Sequence, residues 1–155
     1  YGQLAWALRS DPRVVVMDRV NVRHLAPDDV PGPPPDLVVA DLSFISLTLV
    51  LSALRAAAAA EADHLLLVKP QFEAGPDLVG KGGVVRDPQV WEQAMAAVAH
   101  EGANVGLGLT AAVPSRLPGP AGNVEFFLHL RADGERDIAS TVRDAAASGR
   151  GLAGR

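Results

Sequence analysis

Short, unbroken apolar blocks alternate along the chain with apolar residues at helical spacing. Val14-Val15-Val16-Met17, Leu37-Val38-Val39-Ala40 and Leu65-Leu66-Leu67-Val68 are such blocks, the form of strands buried in a parallel sheet. Leu4, Ala7 and Leu8 predict a helix over residues 1–10, closed by Asp11-Pro12. Behind Ser46, a suitable N-cap, Leu47, Val50, Leu51 and Leu54 predict a helix through Ala62. Asp87-Pro88 opens an amphipathic helix to about His100 that ends at Gly102. Residues 105–113 predict a further strand, and over 124–131 Val124, Phe126, Leu128 and Leu130 alternate with Glu125, Phe127, His129 and Arg131, the two-residue period of a sheet. Strands and helices in alternation favour an α/β fold with a largely parallel sheet. From Asp133 the chain turns polar, so one folded unit over 1–132 is expected, with a tail over 133–155 that is a short frayed helix or disordered.

The connections place the chemistry. Residues 26–36 hold five prolines and Gly32, which rules out a helix or central strand there. Residues 71–83 carry Gly75, Gly80, Gly82 and Gly83 without periodicity, as expected of a mobile loop over the strand ends. The loop Pro118-Gly119-Pro120-Ala121-Gly122-Asn123 is too short for a crossover helix, so the last two strands should be antiparallel neighbours. Two of the apolar blocks end in one charged residue each, Asp41 and Lys69. In a parallel sheet the strand C-termini form the edge where ligands bind. An antiparallel last strand starts at that edge, so Glu125 can join them. A parallel sheet closed by one antiparallel hairpin is the layout of the Rossmann-like methyltransferases.

Composition narrows the function. The chain is 48% apolar and 21% charged, enough for one domain with a sizeable core. It has no cysteine, hence neither disulfides nor a thiolate metal site. His24, His64, His100 and His129 lack metal-ligand spacing, so no metal is expected. No signal peptide and no apolar run of roughly 18 residues appears, which suggests a cytoplasmic protein. A net charge of −4 argues against tight, independent nucleic-acid binding. Gly80-Lys81-Gly82-Gly83 does not have the spacing of a P-loop.

Four motifs follow in order: Asp41-Leu42-Ser43-Phe44-Ile45-Ser46, Val68-Lys69-Pro70-Gln71-Phe72-Glu73, Gly80-Lys81-Gly82-Gly83-Val84-Val85-Arg86-Asp87, and Pro118-Gly119-Pro120-Ala121-Gly122-Asn123-Val124-Glu125-Phe126-Phe127. Over about residues 1–131 the chain thereby resembles the TlyA, or haemolysin A, family of FtsJ-like RNA ribose 2′-O-methyltransferases. The resemblance implies methyl transfer from S-adenosylmethionine to a cytidine 2′-hydroxyl of ribosomal RNA. It also implies a Lys-Asp-Lys-Glu tetrad, whose last three members match Asp41, Lys69 and Glu125. Lys69 would act as base or hydroxyl-orienting group, with Asp41 and Glu125 positioning it and Asp41 also close to the methyl donor. Asn21 is a candidate to face the donor's adenine, and equally a turn-forming asparagine. Lys81 and Arg86 are candidates for RNA phosphate contact, or simply solvate a loop. Taken singly, Asp41 reads as a loop aspartate, Lys69 as a snorkelling lysine and Glu125 as a sheet residue.

The chemistry is consistent with that assignment. A ribose hydroxyl is a poor nucleophile, and a free lysine, with a pKa of about 10.4, is a poor base at neutral pH. Burial or a neighbouring cation lowers a lysine's pKa, and carboxylates hold an ammonium in place while opposing the shift. Against the family pattern, the first tetrad lysine, the glycine-rich donor loop and an S4-type RNA-binding domain would lie before Tyr1. The expected fold is therefore an incomplete Rossmann-like S-adenosylmethionine-dependent methyltransferase, strands 3 to 7, with Val14–Met17 lacking its neighbour. These 155 residues alone should bind the donor weakly and not turn over. Alternative readings are a non-catalytic RNA-binding or structural remnant and a membrane-active haemolysin.

Overall fold

A computed structural model of the protein describes residues 4–153. Four strands, β1 (Leu37–Ala40), β2 (Asp63–Val68), β3 (Gly108–Pro114) and β4 (Phe126–Arg131), form one mixed sheet in the order β1-β2-β4-β3. β1 runs parallel to β2, and β4 is antiparallel to both β2 and β3, as the short loop between the last two strands requires. The helices are α1 (Trp6–Arg9), α2 (Leu51–Ala57), α3 (Pro70–Glu73), α4 (Pro88–Asn104) and α5 (Ile138–Gly149). The mixed α/β class and the antiparallel last hairpin agree with the sequence reading.

Alternation along the strands separates the two faces. His64, Leu66 and Val68 of β2 lie beside Leu130, Leu128 and Phe126 of β4, and all six are buried. Fully burying one of the five apolar side chains among them stabilises by about 1.5–3 kcal/mol. α4 packs over this face through Val90, Trp91, Ala94, Met95 and Val98. Its start is the one the sequence announces: the Asp87 side chain accepts the Gln89 N–H at 2.9 Å, and Pro88 occupies the first helical position. Gly102 lets the helix approach β4, because a Cβ there would lie 2.7 Å from Leu130 Cδ1. On the opposite face Leu37, Val39 and Val113 are exposed, with Leu65 and Phe127 half-buried between them.

Three expectations fail for identifiable reasons. Val14–Met17 is not a strand: no other segment pairs with it among the described residues, and Val15 stays 63% exposed. The predicted first helix shortens to a single turn that buries no residue, and residues 1–3 lie outside those described. The helix behind Ser46 stops at Ala57. Ser46 caps a 3₁₀ turn, Leu47–Leu49, and α2 follows it. Ala59 N–H then donates to Pro35 O and Asp63 N–H to Asp36 O, both at 2.9 Å, which draws the chain toward β2 despite its helix-favouring alanines.

In the polar tail, expected as a short frayed helix or disordered, the helix forms: α5 spans twelve residues and is packed rather than frayed. Asp137 caps it by accepting from Ser140 N–H at 2.8 Å, and Val142, Ala145, Ala146 and Gly149 bury one stripe against α4 and β3. Their spacing is helical, but small residues made the apolar face inconspicuous. No helix among the described residues is long and apolar enough to cross a membrane.

Candidate active site

Parallel pairing of β1 with β2 delivers Asp41 and Lys69 to one edge of the sheet. Lys69 Nζ lies 2.7 Å from Asp41 Oδ1 and donates to Ser43 Oγ at 3.3 Å. The lysine is 9% exposed, whereas the Asp41 side chain is 66% exposed. Such a pair, with one partner in water, contributes only about 0–1 kcal/mol to stability. Its value is geometric: it fixes the amine at the strand end.

Glu125 immediately precedes β4, whose first residue Phe126 pairs with Val68, so its backbone is level with Lys69 on the neighbouring strand. Asp41, Lys69 and Glu125 thus occupy adjoining strands at one edge. The Glu125 carboxylate is buried and accepts from Gln71 Nε2 at 3.3 Å; no hydrogen bond or ion pair joins it directly to Lys69 among the described residues. Gly119 underlies it, and any side chain at 119 would overlap the carboxylate.

The other sequence candidates are placed differently. Asn21 accepts from Arg23 N–H at 3.1 Å and caps the 3₁₀ turn Val22–His24, which is its turn-forming role. Lys81 and Arg86 are exposed and make no ion pair or side-chain hydrogen bond among the described residues. Their segment is less irregular than its glycines suggest: a 3₁₀ turn spans Pro76–Leu78, and Gly80 pairs with Val84. No cluster of three or more metal-ligating side chains occurs among the described residues.

Several residues at the site were not singled out from the sequence. Ser43 reaches Lys69. Phe44, 91% exposed, adopts a φ of 62°, a left-handed conformation uncommon for an aromatic residue, and its ring lies 5.1 Å from that of Phe72. Glu73 accepts from Ser46 Oγ and from Leu47 N–H at 2.8 Å. Burial pushes its carboxyl pKa up, and the two hydrogen bonds partly oppose that shift. Asn123 accepts from Val85 N–H at 3.0 Å and donates to Gly83 O at 2.9 Å, tying the glycine-rich segment to the start of β4. Beside Phe44 lies a groove of about 870 Å³ whose walls include Arg23, Ser46, Gln71 and Phe72. These residues fall within the quoted motifs or near them, but the contacts span 26 or more positions, so no local pattern marks them.

Residues 1–132 match the family model described as FtsJ-like methyltransferase. Over 140 residues the chain is 53% identical to the 16S/23S rRNA (cytidine-2'-O)-methyltransferase TlyA of Mycobacterium tuberculosis, covering 90% of this chain and 52% of that protein. It is 30% identical over 130 residues to Hemolysin A of Brachyspira hyodysenteriae, covering 84% of this chain and 54% of that one. A solved structure described as "Putative hemolysin from Streptococcus thermophilus" matches with a TM-score of 0.91 at 33% identity, over 98% of this chain and 56% of the other. The chain spans about half the length of the curated relatives it matches.

Proposed function

The chain belongs to the FtsJ-like methyltransferase family, and from that premise we propose that it forms part of an enzyme methylating a cytidine 2′-hydroxyl of ribosomal RNA with S-adenosylmethionine as donor. The observation that carries the reading is the buried amine of Lys69, held by Asp41 and Ser43 at the strand edge where α/β sheets bind ligands. The side chains present suit the donor. Asp41 engages Lys69 through one oxygen, and its largely exposed carboxylate retains an acceptor for a cationic group. When bound, S-adenosylmethionine supplies a methyl group activated on a sulfonium.

The chain's own residues then align the acceptor. Lys69 would orient the 2′-hydroxyl and, when its amine is neutral, take its proton, while Asp41 and Ser43 restrict where the amine can point. Glu125, buried on the neighbouring strand, adds negative charge at the same edge. Alignment of this kind supplies much of the acceleration in a group transfer. Phe44 offers an exposed ring on which a nucleobase can stack, worth about 1–3 kcal/mol per base. Lys81 and Arg86 are assigned to RNA phosphate, and Asn21 to the donor's adenine through the amide nitrogen that its capping role leaves over.

Tritiated-methyl incorporation into ribosomal subunits by the intact enzyme tests the reading. Lys69→Ala is expected to lower the rate by at least about 100-fold, the scale of a lost general base. Incorporation unaffected by the substitution removes Lys69 from its role. Retained RNA binding without any methyl transfer by the intact protein would favour a non-catalytic binding module. The hemolysin names of two relatives raise membrane lysis; liposome leakage at micromolar protein would bring that reading forward.

A further inference from the structure

The loops leaving β1 and β2 are fastened to each other along their length. Asp41 and Ser43 meet Lys69, Phe44 lies on Phe72, and Ser46 and Leu47 both donate to Glu73. The last of these contacts touches no group assigned to the reaction. Glu73 closes α3, four positions after Lys69, and its carboxylate reaches back to the head of the 3₁₀ turn Leu47–Leu49. Placing a carboxylate where it is partly desolvated opposes folding unless hydrogen bonds compensate. Here both oxygens are used, and both act on the loop that carries Asp41 and Ser43.

That loop needs an anchor. Phe44 holds a backbone conformation that an aromatic residue adopts only under constraint. The pair at the near end of the loop, Asp41 with Lys69, is half in water and holds weakly. We propose that Glu73 is a positioning residue for the methyl transfer, clasping the far end of the β1 loop so that Asp41 and Ser43 stay on Lys69 and Phe44 stays presented. This rests on the methyltransferase reading above. The clasp works in either protonation state, because a protonated carboxyl still accepts from Leu47 N–H and donates to Ser46 Oγ. Its raised pKa therefore leaves no mark on the pH profile of the reaction.

The test compares Glu73→Ala with the isosteric Glu73→Gln in the intact enzyme. The amide keeps an acceptor for Leu47 N–H and a donor for Ser46 Oγ; alanine keeps neither. Glu73→Ala should lower kcat about 10- to 100-fold, as displacement of reacting groups by about an ångström does. Its KM for S-adenosylmethionine should stay near the wild-type value, and Glu73→Gln should retain kcat and the wild-type pH profile. The ¹⁵Nζ resonance of Lys69 should move in the alanine variant and not in the glutamine variant. That resonance reports the clasp even if the enzyme transfers no methyl group, so failure of the clasp and failure of the methyltransferase reading give different results. Wild-type kcat and an unmoved Lys69 resonance in Glu73→Ala, or equal damage by both substitutions, overturns the inference. If Glu73→Ala does not fold, Ser46→Ala removes one arm of the clasp. A smaller loss in kcat with a shifted Lys69 resonance then supports the inference, and wild-type behaviour overturns it.

Discussion

His64 illustrates how a single side chain can set the response of the fold to pH. It is fully buried on β2, its Nδ1 lies 3.1 Å from Ala62 O, and its Nε2 has no hydrogen-bond partner among the described residues. Burial pushes its pKa down, because the charged ring cannot be solvated there. A histidine depressed in the folded state stabilises fully above its unfolded pKa, about 6.5, and that contribution is lost as pH falls through the lower folded value. Glu73 acts in the opposite sense. Its raised pKa gives a contribution fully present below the unfolded carboxylate value, about 4.3, and lost as pH rises through the folded value. The two oppose each other as pH falls, so the histidine's share of any acid loss is read by comparison: His64→Leu should lose less stability than the wild type in urea unfolding as pH falls below about 6.5. An unchanged acid slope in the variant would assign it to other groups. At this scale Asp41, Lys69 and Glu125 were legible because each stands at the boundary of an apolar strand. Ser43 and Glu73 were not, because their partners are distant in sequence and known only once β1 and β2 lie side by side.

Elements obeyed local signals where tertiary contacts agreed with them. The Asp87-Pro88 start of α4 is local chemistry and appears as read. The end of α2 is not: a run of alanines favours continuation, yet the hydrogen bonds from Ala59 and Asp63 to the proline-rich segment redirect the chain. Arg55 then donates to Ala59 O and Ala60 O, covering carbonyls beyond the helix end. Gly102 sets two effects against each other. Alanine in a helix is favoured over glycine by about 0.8–1 kcal/mol. Against that, the added Cβ would lie 2.7 Å from Leu130 Cδ1 and 3.2 Å from Leu107 O, and overpacking typically costs about 1–3 kcal/mol. The clash should win, so Gly102→Ala is expected to lower the urea midpoint; a raised midpoint would show that α4 can shift on the sheet.

The whole molecule is one helix-covered sheet face with a shared core, and a second face on which apolar side chains remain exposed. Leu66→Ala, on the covered face, should cost about 2–5 kcal/mol. Val39→Lys, at a position 63% exposed on the other, should change stability by no more than about 0.5 kcal/mol and reduce the binding of an apolar dye. A large loss in the second variant would mean that the open face contributes to the core. The sequence by itself determined the strand blocks Leu37–Ala40 and Leu65–Val68, the antiparallel last hairpin, the start of α4 and the charged residues at the strand ends, because periodicity, capping and loop length act over a few neighbouring residues. Tertiary structure decided that Val14–Met17 forms no strand, that the polar tail becomes a packed helix, and that Ser43 and Glu73 join the site. A strand needs a partner to take its hydrogen bonds, a weak apolar stripe needs a surface to bury it, and side chains 26 residues apart meet only after the sheet has formed.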